Sequence, residues 1–156
     1  MIKKFFLYPP IIAAISATIC ISIIAFISEN TSNYILWIIP TFGASVVLIT
    51  ALPSSPLARP RNILFGHLIS AGSGVAIGAI FGVSFFTIGV AVGVAILIMM
   101  MTDKLHPPAG GNPILVMSLG LPLEFNVLPL AAGVIIILVY AIIFNKIIMK
   151  RDYPWF

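Results

Sequence analysis

Five long apolar runs, divided by short polar connections, constrain the fold of this chain more than any other feature. They cover roughly residues 8–27, 34–52, 63–81, 85–101 and 127–144, and each approaches the ~20 apolar residues that cross a bilayer as a helix. Of the 156 residues, 61% are hydrophobic and 8% are charged, whereas about 25% are charged in soluble domains. A soluble domain of this size could not bury so much apolar surface. The sequence therefore predicts an all-α integral membrane protein, a single transmembrane domain over residues 1–156.

A sixth apolar segment, residues 105–122, is predicted to cross the membrane in a broken form. Pro107 and Pro108 remove backbone donors and favour extended backbone before them. Asn112 suits a helix N-cap, and Pro113 suits the first helical position. We therefore expect about seven extended residues followed by a half-helix, which together reach over ~30 Å. The predicted fold is five transmembrane helices plus this broken crossing.

The distribution of charge gives the predicted orientation. With six crossings and a cytoplasmic N-terminus, every Lys and Arg falls on the cytoplasmic side, and the outer loops carry Glu29 and Glu124. Lys and Arg are enriched in cytoplasmic loops of membrane proteins. The basic residues concerned are Lys3, Lys4, Arg59, Arg61, Lys104, Lys146, Lys150 and Arg151. We expect a multi-pass protein of the inner (plasma) membrane with both termini cytoplasmic, and no nucleic-acid partner despite the net charge of +4.

A shift of 68 residues aligns the second crossing with the broken one. Pro40 and Gly43 then match Pro108 and Gly111, and an aliphatic run follows each pair. This match predicts two repeats, 1–82 and 83–150, with three crossings each. Because three is an odd number, the second repeat would lie inverted in the membrane relative to the first. Inverted repeats with interrupted helices at matching places are typical of transporters. The alternative is a chance match between two apolar stretches.

Two breaks in the apolar pattern, at residues 41–45 and 106–113, are the predicted binding site. Each is predicted to lead into a helix, with helix starts at Gly43–Ser45 and Gly111–Asn112. Irregular backbone at membrane depth is tolerated inside protein or beside a water-filled cavity, and helix N-termini bind small anions through free N–H groups. The predicted ligand-binding residues are Thr41, Gly43, Ala44, Ser45, His106, Gly110, Gly111 and Asn112. The alternative for each break is a close helix–helix contact that uses small residues.

Histidines and basic residues complete the predicted site. His67 and His106 lie in apolar segments, where ionisable groups indicate function, and they could bind an anion or relay a proton. Arg59, Arg61 and Lys104 are predicted to attract anions to a cytoplasmic mouth. The alternatives are a histidine bonded to a backbone carbonyl at the interface, and basic residues that only set the topology.

Catalysis, metal binding and cofactors are not expected. The chain has two histidines and four acidic residues, and it lacks a nucleophile elbow, a phosphate loop and paired metal-binding histidines. Cys20 and the run Met99–Met100–Met101 have no spaced partners that would indicate a soft metal.

Several of these motifs resemble the HPP family of integral membrane proteins, named for its His-Pro-Pro signature. His106-Pro107-Pro108-Ala109-Gly110 matches that signature, and the blocks at residues 42–45, 55–62 and 66–67 look alike too. Gly111 stands where the family usually has Ala, and Arg59 where it usually has Gln. The family is generally described with four transmembrane helices. Plant and cyanobacterial relatives are linked to nitrite transport, so the resemblance implies a small monovalent anion here.

These observations predict a transporter or channel for a small inorganic anion, with nitrite as the first candidate. The alternative is a helical membrane scaffold, or a subunit of a larger complex, that transports nothing. In either case the Gly-rich third and fourth crossings offer a face for assembly into a homo-oligomer.

Overall fold

The described part of the chain is helical, with no β-strand in it. A computed structural model describes residues 2–31 and 39–155. The helices are α1 (Ile2–Glu29), α2 (Pro40–Ala51), α3 (Pro60–Phe81), α4 (Phe85–Met101), α5 (Asn112–Ser118) and α6 (Ala132–Ile142). Among these described residues, three stretches are long and apolar enough to cross a membrane: Pro10–Glu29, Pro60–Phe81 and Leu128–Ile148. The chain is thus an all-helical membrane protein, as predicted.

Helices α3 and α4 form an antiparallel pair whose ends are set by local chemistry. Pro60 begins α3, where its missing N–H costs no hydrogen bond. Gly82 ends α3 with a φ of 72°, a conformation that glycine adopts at little cost. Ser84 and Thr87 then form a reciprocal capping box that starts α4. The predicted run 85–101 coincides with α4, and α3 starts three residues before the predicted run 63–81.

The second crossing differs from its prediction. Residues 34–38 of that run lie outside the described part of the chain. Helix α2 begins at Pro40, so Gly43 lies within the first turn of a continuous helix and no break separates Gly43 from Ser45. The expected helix start at Gly43–Ser45 is therefore wrong, because proline at the first helical position already starts the helix three residues earlier.

The segment predicted to form the broken crossing is interrupted as expected but more compact, and we keep that name for residues 105–122. His106 is extended, with φ −138° and ψ 94°, and a 3₁₀-helix then covers Pro107–Gly111 before α5. Five 3₁₀ residues and seven α-helical ones advance only about 20 Å, less than the predicted reach. Asn112 does not cap α5 with its side chain, because that amide bonds to other helices.

The C-terminal helix is irregular at both ends. Helix α6 lies between two π-helical segments, Asn126–Ala131 and Ile143–Ile148. Leu128 has extended backbone, with φ −139° and ψ 125°, and Pro129 follows it. This interruption lies close to the start of the predicted run 127–144, and the helical stretch ends four residues later than predicted.

Most basic residues of the described chain lie at one end of the helix bundle, called here the basic end. The side chain of Arg61, at the start of α3, pairs with Asp103, just after α4. The Tyr153 hydroxyl near the C-terminus donates to the Ala58 carbonyl at 2.6 Å. A cleft of about 540 Å³ at this end is lined by Arg151 together with residues of α1, of the last turn of α2 and of the loop after α2.

Helix α3 is the central element, in contact with α4, α5 and α6. Glycines permit its closest approach to the broken crossing: a Cβ on Gly74 would lie 2.7 Å from the Pro113 Cα. Around this core many large apolar side chains face outward, for example Phe85, Met101 and Ile80, which are 93%, 79% and 70% exposed. Lipid is the solvent that accommodates such a surface.

Candidate functional site

Five buried polar side chains meet where α2, α3 and the broken crossing come together. They are Thr41 and Ser45 of α2, His67 of α3, and His106 and Asn112 of the broken crossing, and we call them the polar cluster. Thr41 is 9% exposed, and the other four are fully buried. All five were predicted as site residues from the sequence. The structure therefore joins into one site residues that lie up to 71 positions apart.

Ser45 is the centre of the polar cluster. Its Oγ lies 2.9 Å from Nε2 of His67 and 2.8 Å from Nε2 of His106. It also reaches the backbone oxygen of Thr41, one turn earlier, at 3.0 Å. The imidazole rings are 5.2 Å apart between centroids. One serine hydroxyl, which has a single proton to donate, thus bridges two histidines.

Asn112 fixes the tautomer of His67. Its Nδ2 lies 2.9 Å from Nδ1 of His67 and 3.3 Å from the His67 backbone oxygen. Its Oδ1 accepts the Thr41 hydroxyl at 2.8 Å. The His67 backbone oxygen can only accept a hydrogen bond, so the Asn112 amide nitrogen must be the atom that faces His67. That nitrogen therefore also donates to Nδ1 of the His67 ring. Neutral His67 therefore carries its proton on Nε2 and donates it to Ser45.

The Leu57 carbonyl fixes the opposite tautomer in His106. Nδ1 of His106 lies 2.9 Å from that oxygen, so Nδ1 carries the proton and Nε2 accepts from Ser45. Gly66 makes this position available, because a Cβ there would lie 2.6 Å from the His106 Cβ. Neutral His67 and His106 are thus held in different tautomers.

The polar cluster lies inside the bundle, closer to the basic end than to the other. His67 is seven residues after Pro60, the first residue of α3, which corresponds to about 10 Å along the helix. At the other end, a cleft of about 400 Å³ between α3 and the broken crossing is lined by residues including Gly74, Gly78 and Val116. Gly74, which lines that cleft, also packs closely against Pro113, the residue after Asn112.

Four predicted site residues lie outside the polar cluster. Gly43 and Ala44 are exposed on another face of α2, and a Cβ on Gly43 would contact nothing within 4 Å. Gly110 is half-buried with open space at its Cβ position. Gly111 lies beside the polar cluster, since a Cβ there would be 3.0 Å from Cγ2 of Thr41.

The predicted mouth residues lie at the basic end. Arg61 forms the ion pair with Asp103, and Nζ of Lys104 lies 5.9 Å from the centre of the Phe65 ring. Arg59 is half-buried at the residue before α3. Since Asp103 is 83% exposed, this ion pair contributes little to stability.

Sequence reasoning missed three groups that hold the broken crossing against α3 and the loop before it. Asn62 donates to the Leu105 carbonyl at 3.0 Å, Ser70 donates to the Ala109 carbonyl, and the Leu57 carbonyl accepts from His106. A signal existed for the two side chains. Polar and small residues at 62, 66, 70 and 73 of α3 recur at helical spacing, which indicates one face of that helix.

Within residues 2–31 and 39–155, no group of three or more His, Cys, Asp and Glu side chains could hold a metal ion. The contacts of His67 and His106 are to serine, asparagine and a backbone carbonyl. The polar cluster is therefore held together by hydrogen bonds.

The apolar outward surface, the helical fold and the buried polar cluster define a helical membrane protein. The chain matches the family model described as "HPP, transmembrane region" over residues 6–154. It therefore belongs to the HPP transmembrane family, as the His-Pro-Pro motif indicated.

Two curated relatives from Dictyostelium discoideum, each named as a transmembrane protein, are similar to this chain. One is 36% identical over 126 residues, which is 75% of this chain and 44% of the relative. The other is 35% identical over 129 residues, 78% of this chain and 42% of the relative. The chain thus spans less than half the length of either. No solved structure is significantly similar to it.

Proposed function

We propose that this protein transports a small monovalent inorganic anion across the membrane, with nitrite as the first candidate. The observation that carries the proposal is the fully buried pair His67 and His106 inside a membrane bundle. Ionisable side chains in membrane segments are costly, and they usually mark a substrate or ion pathway. The resemblance to relatives linked to nitrite transport supports the choice of anion.

The chemistry around Thr41 and Asn112 favours an anion over a cation. Thr41 lies in the first turn of α2 and bonds to Asn112, the first residue of α5, which continues directly from the 3₁₀-helix Pro107–Gly111. Helix N-termini carry partial positive charge. Among the described contacts of the polar cluster there is no carboxylate, and Asp103 is exposed at the basic end. Hydroxyl and amide donors there can replace the hydration of a small anion.

The arrangement of the short elements supports the proposed 3+3 repeat and six crossings. Helices α2 and α5 each occupy the middle place of a half, α1–α3 or α4–α6, and each is shorter than a full span. Transporters of this type bind substrate where such interrupted elements meet. We place the basic end in the cytoplasm, with both termini, because Lys and Arg favour that side of the inner membrane.

A scaffold role, without transport or catalysis, is the second candidate. Its support is that the five side chains of the polar cluster hydrogen-bond to one another and to the backbone, which would lock the broken crossing in place. Gly89 and Gly93 of α4 are exposed with open space at their Cβ positions. Small residues of this kind allow close helix–helix association in membranes, and therefore a homo-oligomer.

Flux into liposomes that contain the purified protein tests the transport proposal. Nitrite, nitrate, formate, chloride and potassium are compared at several pH values, with empty vesicles as background because nitrous acid crosses lipid unaided. We expect nitrite and nitrate flux above background and none for potassium. Flux no greater than in empty vesicles supports the scaffold, and potassium flux without anion flux refutes the anion proposal.

Two glycine variants locate the anion. Gly111→Val places a branched side chain against Thr41, where a Cβ already lies 3.0 Å from Cγ2, and is expected to abolish flux. Gly43→Val adds its side chain to an exposed site with no neighbour within 4 Å. Equal loss of flux in both variants would place the anion at the α2 backbone, as the sequence first indicated, rather than beside Asn112.

A further inference from the structure

We infer that His67, Ser45 and His106 form a one-proton relay that moves a proton together with each anion. The inference rests on the proposed anion transport and adds the coupling ion. It is carried by one geometric fact: a single hydroxyl lies 2.9 and 2.8 Å from the Nε2 atoms of two buried histidines. Hydrogen-bonded chains of this kind conduct protons inside pumps and transporters.

The tautomers set the direction of the hydrogen bonds. Asn112 donates to Nδ1 of His67, His67 donates from Nε2 to Ser45, and Ser45 donates to Nε2 of His106. Nδ1 of His106 then donates to the Leu57 carbonyl at 2.9 Å. The chain of donors therefore runs from the start of α5 to a loop at the basic end.

The transfer balances in protons and charge. The Asn112 amide first rotates so that its Oδ1 faces the His67 ring. A proton from water can then bind Nδ1 of His67. The Nε2 proton of His67 then moves to Ser45 Oγ while the Ser45 hydroxyl proton moves to Nε2 of His106. Ser45 stays neutral, His67 returns to neutral with its proton on Nδ1, and His106 becomes the imidazolium. Loss of the His106 Nδ1 proton to water at the basic end delivers one proton and leaves both rings in the opposite tautomers, so both imidazole rings must turn over before the next transfer in the same direction.

Ser45 has the second acceptor that a reversible relay requires. Its hydroxyl also reaches the Thr41 backbone oxygen at 3.0 Å. When His106 holds a proton on Nε2, the Ser45 hydroxyl can turn to that oxygen and accept from the ring instead. The two rings are only 5.2 Å apart, so two imidazolium charges repel and the pair holds one excess proton.

The excess proton explains how an anion is attracted to a neutral cluster. Nδ1 of His67 is next to Asn112, which in turn bonds to Thr41 in the first turn of α2. An imidazolium there supplies the full positive charge that hydroxyl and amide groups lack, and it is lost again when the proton leaves. Anion and proton would therefore bind together.

Other titratable groups on the surrounding elements have described contacts elsewhere or lie outside the site. Arg61 pairs with Asp103, Lys104 lies over Phe65, Tyr153 bonds to Ala58, Tyr140 bonds to Ser16, Cys20 is in the apolar core, and Glu29, Glu124 and Lys146 are exposed. The two histidines are therefore the groups of this region that we assign to proton transfer.

Proton movement during nitrate flux tests the relay. Nitrate is the anion of a strong acid and carries no proton through lipid, so an entrapped pH dye reports coupled protons alone. We expect inward nitrate flux to acidify the vesicle interior with about one proton per anion. Absence of anion flux in the wild-type protein overturns the transport proposal, whereas anion flux without acidification overturns the relay alone.

Variants of the relay separate it from a structural role. Ser45→Ala is expected to abolish acidification and to lower flux at least about tenfold, and Ser45→Thr to restore both in part. Ser73→Ala is the matched control, because Ser73 is buried on α3 and donates only to the Ile69 carbonyl of its own helix. His106→Asn keeps a donor for the Leu57 carbonyl and removes the Nε2 position, so acidification should be lost while the fold is kept. Acidification by Ser45→Ala or His106→Asn would refute the relay.

The tautomers can be measured directly and without transport. The chain has only two histidines, so ¹⁵N-histidine labelling with solid-state NMR in lipid gives two resolvable rings. At neutral or higher pH we expect one Nε2–H and one Nδ1–H tautomer, and the Ser45→Ala protein should shift both Nε2 signals. Two identical tautomers would overturn the inference even if transport is found.

Discussion

Gly66→Ala tests whether a single missing methyl group sets the position of His106. The Cβ of alanine would lie 2.6 Å from the His106 Cβ and 3.3 Å from the Lys104 oxygen. Carbon atoms in good contact lie about 3.5–4.0 Å apart, so His106 must move by about 1 Å. Its ring is held at both nitrogens, by bonds of 2.8 and 2.9 Å. A shift of that size takes at least one of them outside hydrogen-bond range.

The expected cost has two parts. Overpacking in a well-packed interior costs about 1–3 kcal/mol, and a buried polar group left without its partner costs about 1–3 kcal/mol more. We therefore expect Gly66→Ala to lower the free energy of unfolding by about 2–6 kcal/mol and to abolish anion flux. The measurement is equilibrium unfolding in mixed detergent micelles, followed by circular dichroism, beside flux in liposomes.

Gly93→Ala is the control, because a Cβ at Gly93 would contact nothing within 4 Å and should leave stability and flux nearly unchanged. The double variant Gly66→Ala with His106→Gly tests whether the clash with the His106 Cβ causes the loss of stability. Removing the His106 Cβ removes the closest clash, so Gly66→Ala should cost clearly less in that background, as a double-mutant cycle measures. An equal cost in both backgrounds, or a Gly66→Ala protein as stable as wild type, would refute the reasoning.

Two further variants test packing and the C-terminal segment. Gly133→Ala places a Cβ directly against the Phe42 ring and should cost about 1–3 kcal/mol in the same unfolding assay. A smaller cost in the Phe42→Leu background supports this contact as the cause, and an unchanged cost contradicts it. Tyr153→Phe leaves the buried Ala58 carbonyl without its 2.6 Å donor and should cost about 1 kcal/mol. Burial also raises the pKa of Tyr153, so the unfolded chain ionises this phenol first and wild-type stability should fall as pH rises above about 10. Tyr153→Phe should lose less stability over that range, and identical pH curves would contradict the buried phenol.

The sequence by itself determined the class of protein and the place where the helices are interrupted. Hydropathy depends only on each residue and on lipid as its solvent, so the run 85–101 matched α4 end for end. Proline and glycine act on their own backbone, so the break near His106 was equally readable, although a 3₁₀-helix replaced the expected extended chain. The histidines stood out because ionisable groups are rare in apolar segments.

Only the tertiary structure decided which polar residues belong together. Sequence proximity placed Gly43 and Ala44 in the site, but helical geometry turns them away from Ser45 and leaves them exposed. The contacts of Ser45 with His67 and His106 join residues 22 and 61 positions apart. A hydrogen bond requires both atoms within about 3 Å and in line, a condition on coordinates that no local pattern encodes. The Leu57 carbonyl has no side-chain signal at all, and its role in fixing the His106 tautomer exists only after the loop has packed over α3.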